Sequence, residues 1–168
     1  DERFAKQTTV AVCSGSLVGP DLLMTAGHCI QTLADCQKHT WVFGYSQPDA
    51  EKTEFSFEKS QTYKCVEIVE RDLNRFNNND YALVRLDRQV RDVRPLEVRK
   101  SGKIEDSTAI VVMGHPTGLP LKVSNGAKVR QNGNNIFFSA NLDTFGGNSG
   151  SAVFNEKTGV IEGILVRG

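Results

Sequence analysis

Short runs rich in β-branched and aromatic residues recur along the whole chain, each closed by Gly, Pro, Asn or Asp, and this spacing restricts the fold most. They fall at 8–12, 16–18, 22–25, 40–44, 53–57 and 64–69, then at 81–86, 109–113, 127–130, 135–140, 152–154 and 160–166. One helical turn is expected, at 29–34, directly after His28. Runs this short and this regular point to an all-β fold, either a sandwich or a pair of antiparallel barrels. Residues 91–105 are charged, carry no clear period and contain Pro95, so they read as a connector between two halves, 1–94 and 95–168. There is no internal repeat and no low-complexity tract.

The 168 residues suffice for one domain or two small ones on a shared core. Twenty basic residues balance twenty acidic ones, so no overall field attracts nucleic acid or an anionic membrane. The longest apolar runs are far too short to cross a bilayer. The chain opens on Asp1-Glu2-Arg3 with no export signal, so any such signal is expected to have been removed or left out. Cys13, Cys29, Cys36 and Cys65 all lie in the first half. Four cysteines allow three disulfide pairings, and disulfides would place the protein outside the cytoplasm, secreted or periplasmic. A zinc site on Cys29, Cys36, His39 and Cys13 is the alternative, although the tight Cys-x-x-Cys knuckle is missing.

Three polar residues stand in unusual settings. Ser149 sits between glycines in Asp143-Thr-Phe-Gly-Gly-Asn-Ser-Gly-Ser-Ala152, before an apolar run. Glycines on both sides let the chain turn sharply, present one hydroxyl and aim backbone N–H groups into a common space. His28 follows an apolar strand in Leu23-Met-Thr-Ala-Gly-His-Cys29. Asp80 opens another in Asn77-Asn-Asn-Asp-Tyr-Ala-Leu-Val-Arg-Leu86. Singly, each has a plain reading: a hairpin turn, a satisfied histidine at a strand end, and a turn aspartate. Together they meet the needs of acyl transfer. A serine needs a base, histidine serves as one near neutral pH, and a carboxylate fixes the histidine tautomer.

The order His28, Asp80, Ser149 resembles the chymotrypsin-like serine proteases. Thr25-Ala-Gly-His-Cys29 is similar to that family's Thr-Ala-Ala-His-Cys, and Asn79-Asp80-Tyr-Ala-Leu-Val to its Asn-Asp-Ile-Ala-Leu. Gly147-Asn-Ser-Gly-Ser151 resembles its Gly-Asp-Ser-Gly-Gly. The stretch from Gly146 through Lys157 most resembles a bacterial branch that includes the glutamyl endopeptidases. The resemblance implies two antiparallel, six-stranded-type β-barrels with the active site in the cleft between them. His28 and Asp80 would come from the first barrel and Ser149 from the second, with the N–H groups of Gly147 and Ser149 as the oxyanion hole. It implies a Cys13–Cys29 bridge, which leaves Cys36 to pair with Cys65. The implied function is that of a serine endopeptidase working through an acyl-enzyme, with protein or peptide substrates and a protein inhibitor as partners. Neither a metal nor a cofactor is implied. A catalytically silent binding module and an esterase using the same triad are the competing readings.

The chain departs from the family at three points and matches its trypsins at one. Asn148 replaces the aspartate that pairs with a freshly cut N-terminal amine in the pancreatic enzymes, so activation through that ion pair is not expected. Leu165 stands where the glutamyl endopeptidases place a histidine that binds an acidic side chain. Asp143 lies six residues before Ser149, where trypsins hold the aspartate at the floor of the specificity pocket. The expected pocket is therefore Asp143, Thr144, Val166 and Gly168, taking Arg or Lys before the scissile bond, with Arg167 within reach of Asp143. Finally, the family has another strand and usually a helix after a segment like 160–168, so the second barrel is expected to be short at its end.

Overall fold

The structure, a computed structural model, describes residues 4, 6–47 and 54–167. Its first half is one antiparallel sheet of five strands: β1 (Ser16–Leu17), β2 (Leu22–Thr25), β3 (Thr40–Val42), β4 (Thr62–Asn74) and β5 (Asn79–Leu86), in the order β1-β2-β5-β4-β3. The second half is another five-stranded antiparallel sheet with a different strand order: β6 (Ala109–Gly114), β7 (Lys122–Gln131), β8 (Ser139–Ala140), β9 (Ala152–Asn155) and β10 (Ile161–Ile164), ordered β10-β9-β6-β7-β8. The fold is thus all-β and two-halved, with five strands per sheet among the described residues instead of six.

Alternation builds each core. In β5 the side chains of Ala82, Val84 and Leu86 are buried and their neighbours are not, so one face of the strand points inward. They meet Leu17, Leu23, Ile30 and Tyr63. Ile110, Val112, Ala127, Val129 and Val153 form the matching core of the second half. All four residues of β9 are buried, because its second face is covered too. There Ala152, Phe154 and Ile161 pack against Val18 and Met24 of the first half. This apolar contact joins the two sheets.

Residues 87–108 tie the halves together instead of hanging free. Val90 N–H donates to Pro20, and Leu96 N–H donates to Leu17. Val98 then forms a parallel bridge to Ile161 on the far sheet. Arg99 grips the side chain of Glu162 with both Nε and Nη2, and Asn155 donates to the same carboxylate. Arg99 first, and Asn155 after it, hold the Glu162 carboxyl below its usual pKa.

Three expected elements are corrected. The helix α1 is Leu33–Lys38, later than the expected 29–34, because Thr32 caps it and Asp35 returns the bond to the Thr32 N–H. Residues 8–12 form no strand; Val10 and Ala11 give their N–H groups to the Gly118 carbonyl in the other half. Of the run 53–57, Thr53 lies outside the described residues. The rest is irregular, and Phe55 and Phe57 stack edge-on against Tyr45. Aromatic packing, not a sheet ladder, accounts for the apolar residues there. No helix among the described residues is long and apolar enough to cross a membrane.

Two disulfides, Cys13–Cys29 and Cys36–Cys65, use all four cysteines, so the thiolates a zinc site would need do not exist. The second bridge ties α1 to β4 inside the first core, with both cysteines essentially unexposed. It closes a loop of 29 residues. Replacing both cysteines by alanine should therefore lower unfolding stability by about 3–4 kcal/mol. Urea unfolding measures this, and an unchanged midpoint would contradict it.

Candidate active site

Strand register delivers the first two residues. In the β2–β5 pair Thr25 faces Ala82 and Met24 faces Leu83. Three residues past Thr25, His28 therefore lies beside the start of β5, where Asp80 stands. The Asp80 carboxylate takes two bonds from this one residue: His28 N–H donates to Oδ1 at 2.9 Å, and the ring Nδ1 lies 2.8 Å from Oδ2. A carboxylate accepts and does not donate, so the ring carries its proton on Nδ1. In the neutral ring Nε2 then keeps a free lone pair. The Asp80 side chain is 7% exposed and that of His28 35%, so the carboxylate is shielded while the ring keeps an open edge.

The serine turn docks on the same strand end. Gly147 and Gly150 have φ of 87° and 84°, in the left-handed region that costs other residues strain. A Cβ on Gly150 would stand 2.2 Å from the Ser14 carbonyl oxygen and 2.4 Å from Thr25 Oγ1. So close an approach brings Ser149 against the histidine loop. Its carbonyl accepts from Ser14 N–H at 2.8 Å and lies 3.9 Å from the Cys29 sulfur. Gly150 and Leu165 fix the other side: Gly150 N–H donates to Leu165, and Leu165 N–H donates to Ser151. Among the described residues the N–H groups of Gly147 and Ser149 donate to no protein acceptor, and no hydrogen bond joins Ser149 Oγ to His28.

Asn148 is 5% exposed, and its side-chain oxygen accepts from Ser151 Oγ at 3.3 Å. The residue before the serine is thus satisfied from within the turn. Ser14 and His115 are further supports that the sequence does not signal, because their contacts cross more than a hundred residues of chain. His115 stacks on Tyr45 with ring centroids 5.3 Å apart, and its Nδ1 lies 3.0 Å from the Leu119 carbonyl.

Burial pushes the His115 pKa below its usual 6.5; the Leu119 carbonyl opposes this, and Lys122 adds a smaller push downward. The unfolded chain therefore binds this proton at a higher pH than the native protein does. The stability that neutral His115 contributes is complete above about 6.5 and fades as pH falls through 6.5 towards the lowered native value. Tm should drop as pH falls below 6.5, and His115→Gln should flatten that part of the curve. An equally steep drop in the variant would remove His115 as the cause.

The expected pocket residues are less enclosed. Asp143 is exposed and makes no ion pair among the described residues, while Thr144 and Val166 are half-buried. Gly168 lies outside the described residues. Arg167 does not reach Asp143: its Nη1 donates to Asn78 Oδ1 at 3.2 Å, across the cleft beside Asp80. The cluster of Cys13, Cys29 and His28 offers no metal set, since both sulfurs are spent in one disulfide.

Two facing antiparallel sheets, with a histidine–aspartate pair on one and a serine turn on the other, describe a trypsin-like peptidase. The chain matches the trypsin-like peptidase domain over residues 13–164, and it belongs to that family. Among solved structures it is similar to a Glu endopeptidase, with TM-score 0.67 and 22% identity over 93% of this chain and 74% of that one. A human heparin binding protein gives TM-score 0.66 and 22% identity, again over 93% and 74%. A protease of M. tuberculosis in its active form gives 0.58 and 15%, over 90% of this chain and 61% of that one. At such identities the likeness is one of fold. No curated protein matches the chain.

Proposed function

We propose that this chain is a serine endopeptidase of the trypsin-like family, acting outside the cytoplasm, in which Asp80, His28 and Ser149 form the catalytic triad. The observation that carries the reading is the pair of hydrogen bonds from His28 to the Asp80 carboxylate, which puts the proton of the neutral ring on Nδ1 and frees Nε2 to act as the base. His28 Nε2 takes the proton of Ser149 Oγ as that oxygen attacks the scissile carbonyl. The oxyanion forms against the N–H groups of Gly147 and Ser149, which have no acceptor among the described residues. His28⁺ then protonates the leaving amine, the C–N bond breaks, and an ester to Ser149 remains. Water repeats the sequence: His28 takes its proton, its oxygen attacks the ester, and Ser149 leaves reprotonated. Asp80 holds the ring and balances its charge throughout, so no metal or cofactor is called for. Two disulfides support an extracellular or periplasmic setting. A silent binding module would have no use for an intact set of three groups, and an esterase would leave peptides uncut.

Specificity follows from Asp143. Among the described residues its carboxylate pairs with no cation, which favours Arg or Lys before the scissile bond. Because Asp143 is exposed, the preference should be small, about two- to fivefold over Gln, the range of an exposed ion pair. Digestion of an unbiased peptide library tests both levels. Internal cleavage with a modest basic preference that Asp143→Ser abolishes is the expected result. Intact peptides beside hydrolysed esters would overturn the endopeptidase reading, and a preference for Glu or Phe would overturn the role of Asp143.

A further inference from the structure

Ser14 is 3% exposed and spends all its polar groups on the serine turn and the elements beneath it. Its N–H donates to the Ser149 carbonyl at 2.8 Å, and its carbonyl accepts from Thr25 Oγ1 at 2.7 Å. Its hydroxyl donates to the Gly147 carbonyl at 3.2 Å and accepts from His115 N–H at 3.0 Å. The hydroxyl has one proton, so the His115 donor orients it: the lone pair faces His115 and the proton faces Gly147.

These bonds fall on particular peptide units. The Gly147 and Ser149 carbonyls belong to the peptides flanking the one that carries the Ser149 N–H. The peptide that carries the Gly147 N–H is held by its other end, where the Gly146 carbonyl accepts from Thr117 N–H at 2.5 Å. Three carbonyls are thus fastened to the protein, two of them by Ser14, while the N–H groups of Gly147 and Ser149 have no acceptor among the described residues. Ser14 also follows Cys13, whose bridge to Cys29 anchors it beside His28. One residue therefore ties the turn that carries the nucleophile to the loop that carries the base.

We propose that Ser14 is a positioning residue for the oxyanion hole, its hydroxyl fixing the Gly147 carbonyl so that the N–H groups of Gly147 and Ser149 face the reacting carbonyl. This rests on the serine peptidase reading above. A pair of donors stabilises an oxyanion only where their directions are already set, and small misplacements reduce rate steeply.

The experiment compares wild type, Ser14→Ala and Ser14→Thr on the peptide that wild type cleaves best, with rates expressed per titrated active site. Binding of the corresponding peptide boronate, whose tetrahedral adduct occupies the oxyanion hole, is measured beside binding of the cleaved product. Ser14→Ala should lose about 10–100-fold in kcat with KM within about twofold, and lose boronate affinity by the same factor. Product affinity should hold, and Ser14→Thr, which keeps the hydroxyl, should recover most of both losses. Wild-type kcat and boronate affinity in Ser14→Ala overturn the proposal, as do equal losses of boronate and product binding. Should Ser14→Ala fail to fold, Ser14→Gly, with room for a water in place of the hydroxyl, is measured in the same way. Unfolding of both makes Ser14 a folding residue and overturns the proposal as well. A failure of the peptidase reading looks different, since wild type itself would then neither cleave peptide nor bind the boronate.

Discussion

Replacing Ser149 by alanine should lower turnover by about 10⁴–10⁶ while leaving Tm nearly unchanged. The two halves of this result have separate causes. Ser149 Oγ has no hydrogen-bond partner among the described residues, so its removal leaves no buried group stranded. The turn is held by groups other than the Ser149 hydroxyl: Ser14 N–H on the Ser149 carbonyl, Ser14 Oγ on the Gly147 carbonyl, Gly150 N–H on Leu165, and Ser151 N–H on Asn148. What vanishes is the nucleophile. His28→Ala should cost about as much, and the double variant little more than either, because a base without its nucleophile does nothing. Additive losses in the double variant would show that the two residues do not act as a unit. Measured kcat per mole of folded protein decides the point.

Asp80→Asn should lower kcat by about 10⁴ near neutral pH, with KM changed little. An asparagine fits the same space and its oxygen can still accept from His28 N–H. Its amide nitrogen would then face Nδ1, and a donor cannot meet a donor. The ring must move its proton to Nε2, where it can no longer take one from Ser149. The expected signature is a stable, correctly folded protein with an idle base. A loss that comes instead from unfolding would show as a lowered Tm, and wild-type kcat would remove Asp80 from the mechanism.

The local chemistry of the site is legible in the sequence because it needs characteristic neighbours. A serine that must stand on a sharp turn needs glycines around it, and here Gly147 and Gly150 have left-handed φ values. Strands with one buried face are legible through alternation, and β2 falls at 22–25, where the sequence places it. Other features depend on contacts that no local pattern encodes. Residues 8–12 have strand composition, yet their N–H groups go to Gly118 in the other half. The helix begins after Thr32 because a capping box outweighs the nearness of His28. Ser14 resembles any turn serine until the chain folds it against Gly147, 133 residues away. The Arg167–Asp143 contact fails for a similar reason, since Asn78 offers Arg167 an acceptor that the linear sequence does not place nearby.

The most direct measurement is reaction of the folded protein with a serine-directed peptidyl phosphonate, followed by mass spectrometry of the digest. One adduct per chain is expected, on Ser149, formed in wild type and absent from Ser149→Ala and His28→Ala. An unlabelled wild type, or an adduct on any other residue, would contradict the triad assignment.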